Sequence, residues 1–520
     1  MESGFSLKQP VSVWNRALKT DFTTFFTNLS QAAIQGSFED WKGAGKSALK
    51  ALSAIKVEEL SCAERGWLLI QRALTDAAFR WGGESLNNIL RGISDDDKPS
   101  ADGLAETLKL AQLEAGELML DASFFNKPER FPFLKELEAP LKMWLQGVGM
   151  GEAPATSMAK RFPSYFVLAL HRQWGDRPED YNGLKENLET PFCSAVERDR
   201  AWSQYRAWLQ KQVNEPLFDQ PFGLAQVYQP LRAWYELEVL DEGETPERLP
   251  RRVAYLHEVL DKWLRSTDRR DALRMVWGGP GSGKSSFSKT YAANLARSKP
   301  DLPVLLVPLH RLHMERDLVA AVGNYVRRER IFTDYNPLDI NEGDERLLVI
   351  FDGLDELAML GDGAAYMARK FVDEVQRQLA DFNSRELRLQ VLITSRTTIG
   401  QSNADQVREP GKVLQLLPYW VSKEERKEKW RKEDDPGEFL LEDQRDDWWL
   451  SYGQVSGSLY GEMPEALKMS GLDEVTSQPL LCYLVALSYE GKRIQFTEHV
   501  DLNRFYRDLV KSVVERMWGN

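Results

Sequence analysis

A glycine-rich segment lies between an apolar run and an apparent helix in the stretch MVWGGPGSGKSSFSKTYAANLA. Gly278, four further residues and then Gly283, Lys284 and Ser285 fit the pattern G-x-x-x-x-G-K-[ST]. Phosphate oxygens can approach the bare backbone N–H groups of such a loop, and the helix that follows points its positive end at them. Lys284 would contact the β- and γ-phosphates of ATP, or the β-phosphate of ADP, and the Ser285 hydroxyl would bind Mg²⁺. We call residues 278–285 the phosphate loop.

A second, shorter copy of this pattern, GAGKS, lies at residues 43–47. The full pattern would need glycine at position 40, where the chain has Asp40, and the preceding GSFEDWK is not a hydrophobic strand. We therefore interpret this copy as a loop before a helix, with no role in phosphate binding.

Carboxylates that could hold a metal ion and an attacking water occur in the stretch RLLVIFDGLDEL. Asp352 ends its apolar run, which places it at the carboxyl edge of a sheet beside the phosphate loop. We expect Asp352 to bind, through water, the Mg²⁺ ion that Ser285 also contacts. Asp355 and Glu356 follow within one helical turn, and one of them, with Glu356 favoured, would orient or deprotonate the water.

A cation follows at the end of the apolar run in LQVLITSR. If this strand lies next to the strand of Asp352, it directs Arg396 at the γ-phosphate, where a cation distinguishes a triphosphate from a diphosphate. The alternative is an arginine at a strand end that pairs with a surface carboxylate. The order of the three motifs along the chain favours the first interpretation.

The elements that position these residues follow from a change in sequence pattern near residue 274. Before about residue 220, apolar residues recur every three or four positions, as in GWLLIQRALTDAAFRW, and no run alternates with period two. After residue 274, short apolar runs alternate with amphipathic stretches, which predicts a parallel sheet with helices on both faces. The pattern becomes helical again after Tyr419. We predict an α/β P-loop NTPase fold preceded by an all-α N-terminal domain.

Composition limits the classes of protein that the chain can belong to. The 520 residues are 42% hydrophobic, which supports several folded domains, and the net charge of −12 argues against binding to nucleic acid or anionic lipid. Cys62, Cys193 and Cys482 lie far apart and show no metal-ligand spacing. No apolar run has transmembrane length. We expect a cytoplasmic protein with no membrane partner, and the net charge disfavours a nucleic-acid partner without closing that alternative.

The motifs GGPGSGKSS, LLVIFDGLDEL and LQVLITSR, in this order, resemble the NACHT branch of the STAND nucleotide-binding switches. Gly353 followed by Asp355 and Glu356 is the most NACHT-like detail. The stretch SQPLLCYLVAL resembles a proline-containing helix of the family, which implies that Pro479 lies near the adenine and ribose. A proline at the first position of an ordinary helix capped by Ser477 is the alternative.

The resemblance also implies a division into domains and a set of nucleotide contacts. The expected domains are residues 1–220 (helical effector or adaptor), 221–270 (helical linker), 271–420 (NACHT ATPase core), 421–495 (helical domain) and 496–520 (start of a winged helix). The expected nucleotide-binding residues are Gly278, Gly279, Pro280, Gly281, Ser282, Gly283, Lys284, Ser285, Ser286 and Pro479. His499 is the one candidate for a winged-helix histidine that touches the β-phosphate in other members.

Members of this family act as switches, and the resemblance implies the same behaviour here. A closed, ADP-bound monomer would exchange to ATP after a trigger, assemble as a homo-oligomer and bring N-terminal effectors together, as in bacterial antiviral STAND proteins. The expected trigger is a foreign protein, sensed by a region beyond Asn520 or by a separate chain. A separate effector protein is a further expected partner.

Two function classes stay open from the sequence. Residues 1–220 contain no G-x-S-x-G and no H-E-x-x-H pattern, which favours a helical adaptor over an enzyme there, and Trp67, Trp81 and Trp144 are interpreted as core or interface. The alternative to a signalling switch is an AAA+-like ATPase that regulates a nucleic-acid transaction such as transposition or repair. The DGLDE stretch, the segment around Pro479 and the net acidity favour the switch.

Overall fold

The chain folds into two compact units in a computed structural model. The described residues are 5–7, 57, 60–90, 118–120, 124, 128–131, 134–135, 137–147, 149–181, 184, 197–217, 220–238, 249–313, 317–332, 335–339, 346–358, 364–397, 409–468, 472–490 and 507. Unit 1 comprises Met1–Gln226 and Gln454–Ser458, and unit 2 comprises Val227–Gly453 and Leu459–Asn520. The GAGKS copy, Cys193, His499 and, apart from Arg507, the predicted winged-helix segment lie outside the described residues.

Unit 1 consists mainly of helices. They are α1 (Cys62–Leu90), α2 (Glu138–Gly147), α3 (Glu152–Ala159), α4 (Phe162–Asp176) and α5 (Glu197–Gln212), with 3₁₀ turns at Pro128–Arg130 and Pro178–Tyr181. The prediction of an all-α domain was wrong in one detail, because β1 (Phe5–Leu7) pairs antiparallel with β2 (Leu118–Leu120). Strands of 3 residues are too short to show a period of two in the sequence.

Aromatic side chains form the centre of unit 1. Trp81 lies 6.1 Å from Trp144 and 5.6 Å from Phe162, measured between ring centroids, and all three rings are buried. The Trp81 Nε1–H donates a hydrogen bond to the carbonyl of Met158 at 2.9 Å, so this polar group is satisfied inside the core. Trp67 is also buried. The interpretation of these tryptophans as core residues is confirmed.

Unit 2 contains a mixed sheet of seven strands in the order β4-β3-β9-β5-β8-β7-β6. The strands are β3 (Arg232–Glu236), β4 (Arg251–Tyr255), β5 (Leu273–Trp277), β6 (Val304–Pro308), β7 (Leu347–Asp352), β8 (Leu389–Ser395) and β9 (Val413–Leu416). The five from β9 to β6 are parallel, and every residue of β7 and β8 is buried, as expected for strands covered on both faces. The predicted α/β P-loop NTPase layout is confirmed.

Further helices precede, separate and follow the strands of this sheet. They are α6 (Leu224–Val227), α7 (Leu256–Leu264), α8 (Lys284–Ser298), α9 (Leu318–Arg328), α10 (Leu354–Ala358), α11 (Ala364–Phe382), α12 (Lys423–Lys429), α13 (Gln444–Ser456), α14 (Glu465–Lys468), α15 (Asp473–Thr476) and α16 (Pro479–Glu490). Short 3₁₀ turns lie at Leu309–Arg311, Lys432–Asp434 and Phe439–Leu441. Within the described part of the chain, no helix combines the length and the apolar character that crossing a bilayer requires.

Residues 221–270 differ from the helical linker that the sequence predicted. They contribute α7, but also the antiparallel strands β3 and β4, which extend the parallel sheet at one edge. The strand pattern was hidden because a charged residue occupies a core position. Arg232, in β3, is fully buried and donates hydrogen bonds to the backbone carbonyls of Pro418, Tyr419, Phe439 and Glu442.

Candidate nucleotide site

The phosphate loop joins β5 to α8, which is the strand–loop–helix context that the motif requires. Gly281 and Gly283 have φ angles of 75° and 88°, in the left-handed region that glycine adopts without strain. A Cβ at Gly283 would lie 3.2 Å from Leu231 Cδ1 and 3.4 Å from Pro479 Cγ, and a Cβ at Gly278 would overlap Ser282 Oγ. The loop is therefore a cradle of bare backbone, which fits a phosphate group.

The residues of the phosphate loop and of the first turn of α8 differ in their exposure to solvent. Gly279 and Pro280 are exposed at its tip, whereas Ser282 is buried and its hydroxyl has no hydrogen-bond partner within the described residues. Ser285, the expected Mg²⁺ ligand, is exposed in the first turn of α8, and Ser286 beside it is half-buried. The hydroxyl of Ser285 is thus accessible to a bound ion.

Lys284 is the first residue of α8, and its ammonium group lies against the loop. Its Nζ donates hydrogen bonds to the carbonyl oxygens of Gly278 and Gly279, at 2.8 and 2.9 Å. Burial lowers the pKa of Lys284. The negative charge of Asp355 raises it and is the strongest of the opposing effects, and the charge of Asp352 raises it by less. The predicted acidic residues are therefore close enough to Lys284 to interact with its charge.

Asp352 ends β7 and is almost completely buried. Its Oδ1 accepts hydrogen bonds from Ser288 Oγ at 2.9 Å and from Thr394 Oγ1 at 2.7 Å, and Thr394 Oγ1 accepts the Gly353 N–H at 2.9 Å. Two hydroxyl groups, from α8 and β8, thus fix the carboxylate that would hold Mg²⁺. Sequence reasoning missed both roles, although Ser288 lies one helical turn after Lys284 and Thr394 stands within the motif of Arg396.

Arg396 follows β8, and β8 lies directly beside β7, as predicted. Its Nε lies 2.7 Å from Asp355 Oδ2, and its backbone N–H donates to Asp355 Oδ1 at 3.1 Å. Arg396 therefore pairs with a carboxylate, as the alternative interpretation predicted. The partner, however, is Asp355 of the DGLDE stretch and not an unrelated surface residue. Because Arg396 engages both oxygens of Asp355, Glu356 is the better placed of the two acids to contact a water.

Glu356 lies in the first turn of α10, and its side chain is partly exposed. Its Oε2 is 2.9 Å from Nδ1 of His310. His310 follows β6, the strand on the other side of β7. Sequence reasoning missed His310, and the only signal would have been its position just after an apolar run.

Pro479 lies against the phosphate loop. It is the first residue of α16, with Cγ 3.4 Å from the position of a Cβ on Gly283, and the Leu480 N–H donates to the Gly281 carbonyl at 3.1 Å. The Ser477 hydroxyl donates to the Glu474 carbonyl, a bond that lies outside α16. The start of α16 is thus built onto the loop, and contact with adenine and ribose stays a prediction.

Three neighbouring parallel strands bring these residues to one edge of the sheet. β5 leads into the phosphate loop, β7 ends in Asp352, and β8 between them is followed by Arg396. Ligands of open α/β sheets bind at this carboxyl edge, and the loop, the lysine and the buried carboxylate suit a nucleotide phosphate with its metal ion. The fold and the site define the chain as a P-loop NTPase.

Comparison with known families specifies the class further. Residues 15–224 match the family model of NACHT N-terminal helical domain 3. No curated protein is similar enough to the chain to count as a match. The match covers less than half of the chain, and together with the P-loop site it supports a NACHT-type STAND protein. NACHT proteins are NLR-like signalling NTPases that bind nucleotide, typically with Mg²⁺.

Proposed function

We propose that this protein is a molecular switch that binds ATP with Mg²⁺, hydrolyses it slowly and signals through its nucleotide state. The observation that carries the proposal is the convergence of Lys284, Asp352, Glu356 and Arg396 at one edge of the sheet, around a loop that a Cβ would obstruct. The match of residues 15–224 to a NACHT-associated helical domain supports signalling.

Each residue has a distinct task in the proposed reaction. Lys284 leaves the loop carbonyls and contacts the β- and γ-phosphates, while Ser285 and Asp352 would hold Mg²⁺, which would neutralise phosphate charge. Glu356 orients a water and accepts its proton as the water oxygen bonds to the γ-phosphorus. The bond from that phosphorus to the β–γ bridging oxygen breaks, and ADP and inorganic phosphate leave. Arg396 is held by Asp355 at the edge where the γ-phosphate would lie.

Hydrolysis is tested by single-turnover cleavage of ATP in the Glu356→Gln variant. Glutamine keeps the size of the side chain but removes the carboxylate, so we expect ATP binding to persist and cleavage to fall by about 100-fold or more. Asp352→Asn is the matched comparison, because it should lose the Mg²⁺ dependence of ATP binding as well. Normal cleavage by Glu356→Gln would contradict the assignment.

The switch itself involves the start of α16, which contacts the phosphate loop. We infer that this contact holds a closed, ADP-bound monomer, and that exchange to ATP releases it and permits assembly into a homo-oligomer. A ligand shifts such an equilibrium only by binding the two states with different affinity, so a group that touches the loop in one state is required. Pro479→Arg should therefore speed ADP release and produce oligomers without a trigger. Release kinetics and size-exclusion profiles equal to those of the parent would reduce the contact to packing.

The biological setting is a further part of the proposal. We infer that the switch responds to a foreign protein and acts in bacterial defence against phage, directly or through a separate effector protein. The supporting observation is the match of residues 15–224 to a NACHT-associated helical domain. Phage challenge of cells that express the full-length gene should show protection, and Lys284→Ala should abolish it. Equal protection by this variant would contradict the role of nucleotide binding.

A further inference from the structure

His310 and Glu356 come together through the parallel pairing of β6 and β7. The register pairs Pro308 with Asp352, so the turn after β6 and the helix after β7 leave the sheet side by side. That turn, Leu309–Arg311, packs against α10. His310 Nδ1 consequently lies 2.9 Å from Glu356 Oε2, although 46 residues separate them in the chain.

A glycine makes this contact possible. Gly353, which precedes α10, has a φ of 85°, and a Cβ on it would lie 2.9 Å from Glu356 Oε2. The missing Cβ allows the carboxylate to fold back over the backbone and to reach His310. The glycine of the DGLDE stretch therefore serves the position of the glutamate.

Exposure shows what kind of contribution this pair can make. The side chains of His310 and Glu356 are 54% and 41% exposed, and hydrogen bonds between groups so accessible to water add little to the stability of a protein. We therefore expect the contact between His310 and Glu356 to affect the orientation of the Glu356 carboxylate. Bases in enzymes are commonly held by a third group through a hydrogen bond of this kind.

We propose that His310 is a positioning residue for ATP hydrolysis. The ring Nδ1–H donates to Oε2 of Glu356 and fixes the carboxylate, and Oε1 is left to orient the attacking water. This inference rests on the proposed function, in which Glu356 contacts that water. His310 itself touches neither the water nor the nucleotide in this role.

Four single variants of the full chain test the proposal by single-turnover ATP cleavage and by nucleotide binding. His310→Ala removes the contact, and His310→Asn restores a donor, because the Asn Nδ2 is bonded to Cγ as Nδ1 is in histidine. His310→Gln places its donor one bond farther along and should not restore the contact. His313→Ala is the matched control, because His313 is an exposed histidine on the same segment.

We expect His310→Ala and His310→Gln to slow cleavage by about 10- to 100-fold while ATP affinity stays within about 2-fold of the parent. His310→Asn and His313→Ala should cleave within about 2-fold of the parent rate. In a Glu356→Gln background, His310→Ala should cause no further loss, because the group that it positions is already gone.

Other outcomes overturn the proposal. Parental cleavage by His310→Ala excludes a positioning role, and faster cleavage means that the contact restrains Glu356. An additional loss in the Glu356→Gln background means that His310 acts elsewhere, and a slow His310→Asn variant excludes the hydrogen bond as the cause. The failure of the proposed function would be recognised separately, by normal cleavage in Glu356→Gln with His310 intact.

Discussion

Thr394 offers a sensitive test of how the carboxylate of Asp352, the proposed Mg²⁺ ligand, is held. Thr394→Val keeps the shape of the side chain and removes its hydroxyl, which donates to Asp352 Oδ1 and accepts the Gly353 N–H. Thr394 is fully buried, so water cannot replace either bond. The substitution therefore affects both the stability of the fold and the orientation of Asp352.

The size of the effect follows from the two lost bonds. A hydrogen bond to a charged group contributes about 1.5–3 kcal/mol, and a buried N–H left unpaired costs about 1–3 kcal/mol. Ser288 still donates to Asp352, so the carboxylate keeps one partner. We expect the free energy of unfolding to fall by about 3 kcal/mol, and the Mg²⁺-dependent gain in ATP affinity to fall by about 10-fold.

Two measurements, with Thr394→Ser as the control, separate these contributions. Serine keeps the hydroxyl and loses only a methyl group, which should cost about 1 kcal/mol and leave the Mg²⁺ dependence intact. Urea unfolding reports stability, and titration calorimetry of ATP with and without Mg²⁺ reports the metal site. If the valine and serine variants agree in both measurements, the hydroxyl does not position Asp352 and the reasoning is refuted.

Three further substitutions follow from the same geometry. Burial lowers the pKa of Lys284 in the free protein, and a bound phosphate should raise it. ATP affinity measured by calorimetry should therefore fall as the pH rises through the pKa of the free protein, because the lysine loses its charge. A Lys284→Ala variant should lack this fall. Gly353→Ala should cost about 1–2 kcal/mol in urea unfolding because its φ is 85°, and should slow single-turnover cleavage because its Cβ displaces Glu356. Arg232→Met should destabilise the chain by about 3 kcal/mol in the same unfolding assay, because four backbone carbonyls lose a buried, charged donor.

Each of these predictions has an outcome that contradicts it. An ATP affinity that is flat with pH, or that falls equally in the alanine variant, would remove Lys284 as the titrating group. If the Gly353 or the Arg232 variant unfolds with the same free energy as the parent, the left-handed turn or the buried arginine does not contribute to stability as predicted.

The sequence predicted those parts of the site whose residues are consecutive in the chain. The phosphate loop, Asp352 and Arg396 each follow a run of apolar residues, and such runs are visible without knowledge of tertiary contacts. The neighbouring positions of β7 and β8 were predicted from the order of the motifs and are confirmed. Consecutive patterns of this kind are the strongest signal that a single sequence carries.

The residues that sequence reasoning missed depend on contacts between distant segments. His310, Ser288 and Thr394 acquire their roles only because β6, α8 and β8 lie beside β7, and their positions in or near the motifs do not by themselves indicate these contacts. The strand β3 was missed for a related reason, since Arg232 is buried through backbone carbonyls supplied by residues about 200 positions later.

Residues 278–285 are proposed to bind the phosphates of a nucleotide, and titration calorimetry of ADP and ATP with Lys284→Ala tests this binding most directly. The lysine would exchange two carbonyl partners for phosphate oxygens, and a charged hydrogen bond contributes about 1.5–3 kcal/mol. Lys289→Ala, on the same helix, is the matched control. We predict that the parent and the control bind nucleotide alike and that Lys284→Ala binds at least about 10-fold more weakly. Equal nucleotide affinity of Lys284→Ala and the parent would contradict the assignment of the phosphate loop.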